Sequence, residues 1–139
     1  MRRFVAFIAL TVLLAGCATL SNQNKDKLRD QTLDDYAAAL RWGDFASAYQ
    51  FADPKLRDAH PLDAAAKKRY ATVEVAQYET DGPRAVDENT VKQSVQISLI
   101  DKASQSAYDV VDHQTWRWDP VAKHWWLESG LPDITPPAQ

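Results

Sequence analysis

One cysteine, Cys17, stands among the 139 residues, so no disulfide can form within the chain and its core must be held by packing. Four glycines, Gly16, Gly43, Gly82 and Gly130, are too dispersed to build a phosphate-cradling loop, and neither a nucleophile elbow nor a zinc-protease signature occurs. Three histidines, His60, His113 and His124, have no ligand-like spacing and no second cysteine to help them, whereas a divalent ion needs three or four ligands. No metal or cofactor is therefore expected. Basic side chains number 16 against 19 acidic ones, a balance that repels phosphate backbones and argues against nucleic-acid binding. The longest apolar run, Phe4 to Leu14, falls short of the roughly 20 residues that cross a bilayer as a helix.

That run has a different use. Arg2 and Arg3 precede it and the small residues Ala15 and Gly16 follow it, which is the order of an export signal. The segment Leu14-Ala15-Gly16-Cys17 resembles the lipobox of bacterial lipoprotein precursors. The resemblance implies cleavage between Gly16 and Cys17, palmitate-type acylation of the Cys17 thiol, and a cell-envelope protein held at a membrane by lipid. It also implies the periplasmic face of the outer membrane, because Ala18 rather than aspartate follows the cysteine. Acylation accounts for a lone thiol in an oxidising compartment, and several acyl chains anchor far more firmly than one. Losing Arg2 and Arg3 with the leader makes the mature chain more acidic still.

The expected organisation is a signal peptide over 1–16, the lipidated cysteine and a polar tether over 17–27, one domain over 28–135, and a tail over 136–139. From about Leu28, the residues Leu33, Tyr36, Ala37 and Leu40 recur at helical spacing, with Asp30, Asp34 and Asp35 in the first turns. Gly43 ends this helix, and Asp44 caps a shorter one carrying Phe45, Ala48 and Tyr49. Asp53-Pro54 starts a further turn that His60-Pro61 stops, and Asp63 caps another helix over 64–69, whose Lys67-Lys68-Arg69 reads as a solvated end.

Beyond it the period changes to two. Val73 and Val75 mark a first strand, and Val91, Val95, Ile97 and Leu99 mark a second after the turn Asp81-Gly82-Pro83. Residues 106–118 form a third, and about 123–129 a fourth beyond Asp119-Pro120. The pattern predicts an α+β fold in which N-terminal helices pack on a curved antiparallel sheet of about four strands, enclosing a pocket.

The text from Ala38 to Tyr49, with Gly43-Asp44 between two amphipathic helices, resembles the start of a nuclear-transport-factor-two-like domain, a cone-shaped α+β fold. Trp116-x-Trp118 followed by Trp125-Trp126 resembles its final hairpin. That superfamily holds ketosteroid isomerases, dehydratases, small-ligand binders and accessory domains without chemistry, so the resemblance leaves function open. No catalytic residue carries over. Such domains often dimerise through their sheets, which makes a homodimer an expectation of the resemblance.

Candidate site residues follow from strand phase. If the third strand alternates unbroken, Tyr108, Asp112, Gln114, Trp116 and Trp118 share the inner wall as a polar notch, and a desolvated Asp112 carboxyl has a raised pKa suited to a general base or a ligand contact. The strand's length instead favours a bulge at Val110-Val111 that turns Asp112 to water and buries Val111. The three histidines read as surface or packing residues. Trp125 and Trp126 are consecutive on a strand and face opposite sides, so one is exposed as a partner surface or covered, most simply by the tail 131–137. The leading expectation is a non-enzymatic binding domain for a partner protein or small apolar ligand. A small pocket enzyme of isomerase, dehydratase or hydrolase type, and a structural component of an envelope assembly, are the alternatives.

Overall fold

Leu33, Tyr36, Ala37 and Leu40 do line one buried stripe, and the helix that carries them runs to Arg41. The computed structural model describes the backbone of residues 2–138 and the side chains of residues 21–138. Helix α1 spans Arg2–Arg41. Among the described residues no helix is long and apolar enough to cross a membrane. The Cys17 side chain and the rest of the Leu14-Ala15-Gly16-Cys17 segment lie outside the described side chains.

Residues 21–27 do not behave as the expected free tether. They are helical, and the Lys25 carbonyl accepts a hydrogen bond from Trp125 Nε1 at 3.1 Å while the Lys25 ammonium sits over the Trp118 and Trp125 rings. Its Nζ also donates to the Glu88 carbonyl and to Asn89 Oδ1. A polar sequence continues the helix where one of its long side chains, Lys25, meets two tryptophans, a cation–π contact that periodicity does not register. The packed unit thus begins at least three residues before Leu28.

Gly43 stops α1 with a left-handed backbone (φ 71°), and the turn closes through bonds from Gly43 N to Leu40 O and Asp44 N to Ala39 O. Three aspartates then begin three short helices. Asp44 caps α2 (Phe45–Ala48), Asp53 caps α3 (Pro54–Ala59) and Asp63 caps α4 (Ala64–Tyr70), each accepting a backbone N–H in the first turn. Phe45 and Tyr70 stack at 4.6 Å and tie α2 to α4.

The sheet has five antiparallel strands: β1 (Val73–Thr80), β2 (Arg84–Asp87), β3 (Thr90–Asp101), β4 (Ala107–Asp119) and β5 (His124–Leu127). Strand β2 was not anticipated because it is exposed throughout and has no alternation to detect. It pairs with β3 beyond the end of β1, so the two share one edge of β3 in succession. Asp81 bridges the break, donating its N–H to Ser94 O while its carboxylate accepts from Ser94 N.

The sheet is strongly curled, a half-barrel around the helices, and the α+β, cone-like architecture is as expected. The source of the curl is not. The β3–β4 register runs from Thr90↔Arg117 to Ile100↔Ala107 without a shift, so the bulge at Val110-Val111 is absent and Val111 is 60% exposed. The irregularities lie in the partners of β3 instead, between Val75 and Gln77 and between Ala85 and Asp87. A long strand paired along its length needs no bulge of its own when its neighbours are broken.

The tail closes the open end. Pro132 and Ile134 are buried, Tyr70 donates to Pro132 O, and Tyr108 donates to Ile134 O at 2.7 Å. Ile134 meets Leu40, Phe45, Val75, Ile97, Leu99 and Val110 around a void too small for a water molecule. Ile134→Ala is therefore expected to cost about 2–4 kcal/mol, read as a lowered urea midpoint with unchanged slope. A change within a few tenths of that unit would mean the tail is only laid on the surface.

Candidate functional site

With β4 unbroken, Asp112, Gln114 and Trp116 all face inward, 7%, 1% and 0% exposed. The expectation that Asp112 turns to water is overturned, for the reason given by the β3–β4 register. Gln93 stands opposite Gln114 on β3, in phase with Val91 and Val95. The result is a string of polar groups inside an apolar wall.

Gln114 joins that string. Its Oε1 accepts from Gln93 Nε2 at 2.8 Å and from Trp116 Nε1 at 3.1 Å. Its Nε2 donates to Asp112 Oδ2 at 2.8 Å and to the Tyr78 hydroxyl at 3.1 Å. A carboxamide has two donor hydrogens and an oxygen with two lone pairs, so all four of its positions are used. Thr80 completes the chain by donating to Gln93 Oε1. Tyr36 brings the helical side of the cone to the same place: its ring meets Trp116 edge-on at 5.2 Å, and its hydroxyl is buried without a hydrogen-bond partner.

Charge is disfavoured here. Burial raises the Asp112 carboxyl above its ordinary 3.8, opposed by the hydrogen bond from Gln114 and the charge of His113. Burial pushes Tyr78 up to about 12 against the Gln114 hydrogen bond, with Asp112 adding to the rise. Tyr36 is raised well above 10.0 by burial and then by Asp112. A carboxyl held among phenols has the electrostatics of a general base, but the void beside this wall admits no water and is lined by other residues. Apart from the Tyr36 hydroxyl, the polar groups satisfy one another.

The expected pocket is thus filled, and its five residues part company. Tyr108 lies under the tail, Asp112, Gln114 and Trp116 lie in the core, and Trp118 lines an outer groove. Among the described residues, grooves open elsewhere. One of about 300 Å³ lies between α3, α4 and the tail, with Tyr49, Leu56, Leu62, Tyr70 and Leu131 as its apolar lining and Arg69 at its edge. Another, of about 590 Å³, lies between α1 and the β4–β5 turn.

Trp125 is no partner surface: it is 2% exposed and covered by α1 through Lys25. Trp126, on the other face, is half-buried beside the His124 ring at 4.1 Å and the Arg57 guanidinium, so α3 and its own strand cover it rather than the tail. His113 is exposed with Nδ1 3.1 Å from Ser94 Oγ, and the His60 carbonyl accepts from Tyr49. No three His, Cys, Asp or Glu side chains converge among the described residues. Strand phase could have found Gln93, a polar residue in an apolar stripe. The ion pair of Arg117 with Asp53, which locks β4 to the α3 cap, joins residues 64 apart and has no sequence signal.

Two outcomes follow from the buried string. Gln114→Leu strands the Gln93 amide, the Trp116 N–H, the Tyr78 hydroxyl and Asp112, and is expected to cost about 3 kcal/mol or more by denaturant titration. A cost under about 1 kcal/mol would show that these bonds are not made. Asp112→Asn keeps the acceptor for Gln114 and removes the charge. The folded chain holds the Asp112 proton to a higher pH than the unfolded chain, so stability falls as pH rises from 3.8 through the raised folded value and then levels. The variant should match the parent below that window and exceed it at neutral pH; a pH-independent difference would contradict a buried carboxyl.

No family model matches this chain, and no curated protein matches it.

Proposed function

We propose that this protein is a bacterial lipoprotein held by acyl chains on Cys17 at the periplasmic face of the outer membrane, with a domain that binds a partner and performs no chemistry. The observation that carries the anchoring is the segment Leu14-Ala15-Gly16-Cys17, placed directly after a charged and apolar leader and holding the only cysteine. The cone-like α+β fold is compatible with the nuclear-transport-factor-two-like resemblance and with its many accessory members.

A binding role is supported by the interior. Every polar group that strand phase offers for catalysis is engaged with another polar group or shut away from solvent. Recognition then belongs to the outside, where Trp42 is 87% exposed on the turn between α1 and α2, and the groove between α3, α4 and the tail offers apolar lining. Tryptophan is enriched among the residues that anchor protein interfaces. The groove, at about 300 Å³, is at the small end of ligand sites, and it is the place a small apolar ligand would occupy.

Cys17→Ser tests the anchor. The parent is expected in the membrane fraction with labelled palmitate, and the variant without label. A variant that still incorporates palmitate and sediments with membranes would end the lipoprotein reading.

A further inference from the structure

The groove between α1 and the β4–β5 turn gathers lysines on a chain whose acidic side chains outnumber its basic ones. Lys25, Lys27 and Lys123 line it with Leu28, Trp118 and Pro120. Lys25 is fixed at its floor between the two tryptophans, whereas Lys27 and Lys123 are exposed and have no ion-pair partner among the described residues. Of the nearby acids on α1, Asp26 and Asp30 are both paired with Arg29, while Asp34 and Asp35 lie farther along the helix on the face that Lys27 shares, outside the groove itself. At its rim the β4–β5 turn is closed by Asp119, whose carboxylate accepts from Val121 N and Ala122 N, and this holds Val121 outward at 94% exposure. An apolar tip, a tryptophan at the waterline and free lysines are the side chains that suit a bilayer interface.

Its position is set by covalent connection. Ser21, at one end of the groove, is four peptide steps from Cys17, and four steps cover no more than about 14 Å even when extended. With Cys17 acylated, the groove cannot leave the neighbourhood of the headgroups. We infer that this groove seats the domain on anionic phospholipid headgroups of the membrane holding the anchor, with Lys27 and Lys123 on phosphates and Val121 at the acyl boundary. This rests on the lipoprotein reading. The seat points the opposite end of α1, with exposed Trp42, away from the membrane toward partners.

The test uses the full chain expressed in a bacterium that processes lipoprotein leaders, purified from membranes and reconstituted on vesicles. Val121→Cys supplies one free thiol for an environment-sensitive fluorophore, and Val111→Cys, on the exposed sheet face, supplies the control. On phosphatidylglycerol–phosphatidylethanolamine vesicles the label at 121 is expected to shift to the blue and to be quenched by headgroup-labelled lipid, while the label at 111 stays aqueous. Replacing Lys27 and Lys123 together by glutamine should lower the seated-to-free ratio about 25-fold, at about five-fold per charge, and pure phosphatidylcholine should act in the same direction. Acylated protein whose label at 121 is as aqueous as that at 111 overturns the seat alone. An intact mass without acyl chains on Cys17 overturns the lipoprotein reading and the seat with it.

Discussion

The interior of this domain depends on one carboxamide. Gln114 is the only described side chain that bonds to both neighbouring residues of its own strand face, Asp112 and Trp116, and also to β1 through Tyr78 and to β3 through Gln93. Gln93 Nε2, Trp116 Nε1, the Tyr78 hydroxyl and Asp112 Oδ2 would otherwise lose these buried bonds, at about 1–3 kcal/mol apiece. Trp116 is then held where Tyr36 of α1 meets it edge-on, so the network that joins three strands also sets the surface on which the long helix packs. Polar satisfaction of this kind specifies one register, since sliding β3 against β4 by a single residue would put Gln93 and Gln114 on opposite faces of the sheet.

A filled interior leaves the outside and the ends as the accessible surfaces. The curled sheet and helices of such a fold can enclose a ligand, but here Gln114, Trp116 and Tyr36 occupy the wall while Pro132 and Ile134 stop the open end. What remains available are the grooves flanking the helices and the exposed turn at Trp42. Helix α1 relates them: Lys25 ties it to the β4–β5 hairpin, and Trp42 follows directly on its last residue, Arg41. An anchor at Cys17 would make that axis the axis of the molecule at a membrane.

Much of the fold was legible from local signals. Three aspartates at helix starts, the glycine after Trp42 and the alternation of Val91, Val95, Ile97 and Leu99 act through bonds and contacts within a few residues, so they can be read in order along the chain. The inward face of β4 was legible as a possibility, and the length of the strand pointed the other way. What decided it was the breaks in β1 and β2, which have no mark in the sequence of β4. The helical state of 21–27 and the burial of Trp125 were hidden for the same reason, since each depends on the other across 100 residues. The exposed strand β2 had no apolar period at all.

Hydrogen exchange at the Gln114 side-chain amide, followed by NMR, asks most directly whether the cone is filled. A sealed, fully bonded carboxamide should exchange only through global opening, at a rate that tracks unfolding as denaturant is added. Exchange near the rate of a free glutamine amide in undisturbed protein would mean that water reaches Asp112 and Gln114, and that the interior is an open site after all.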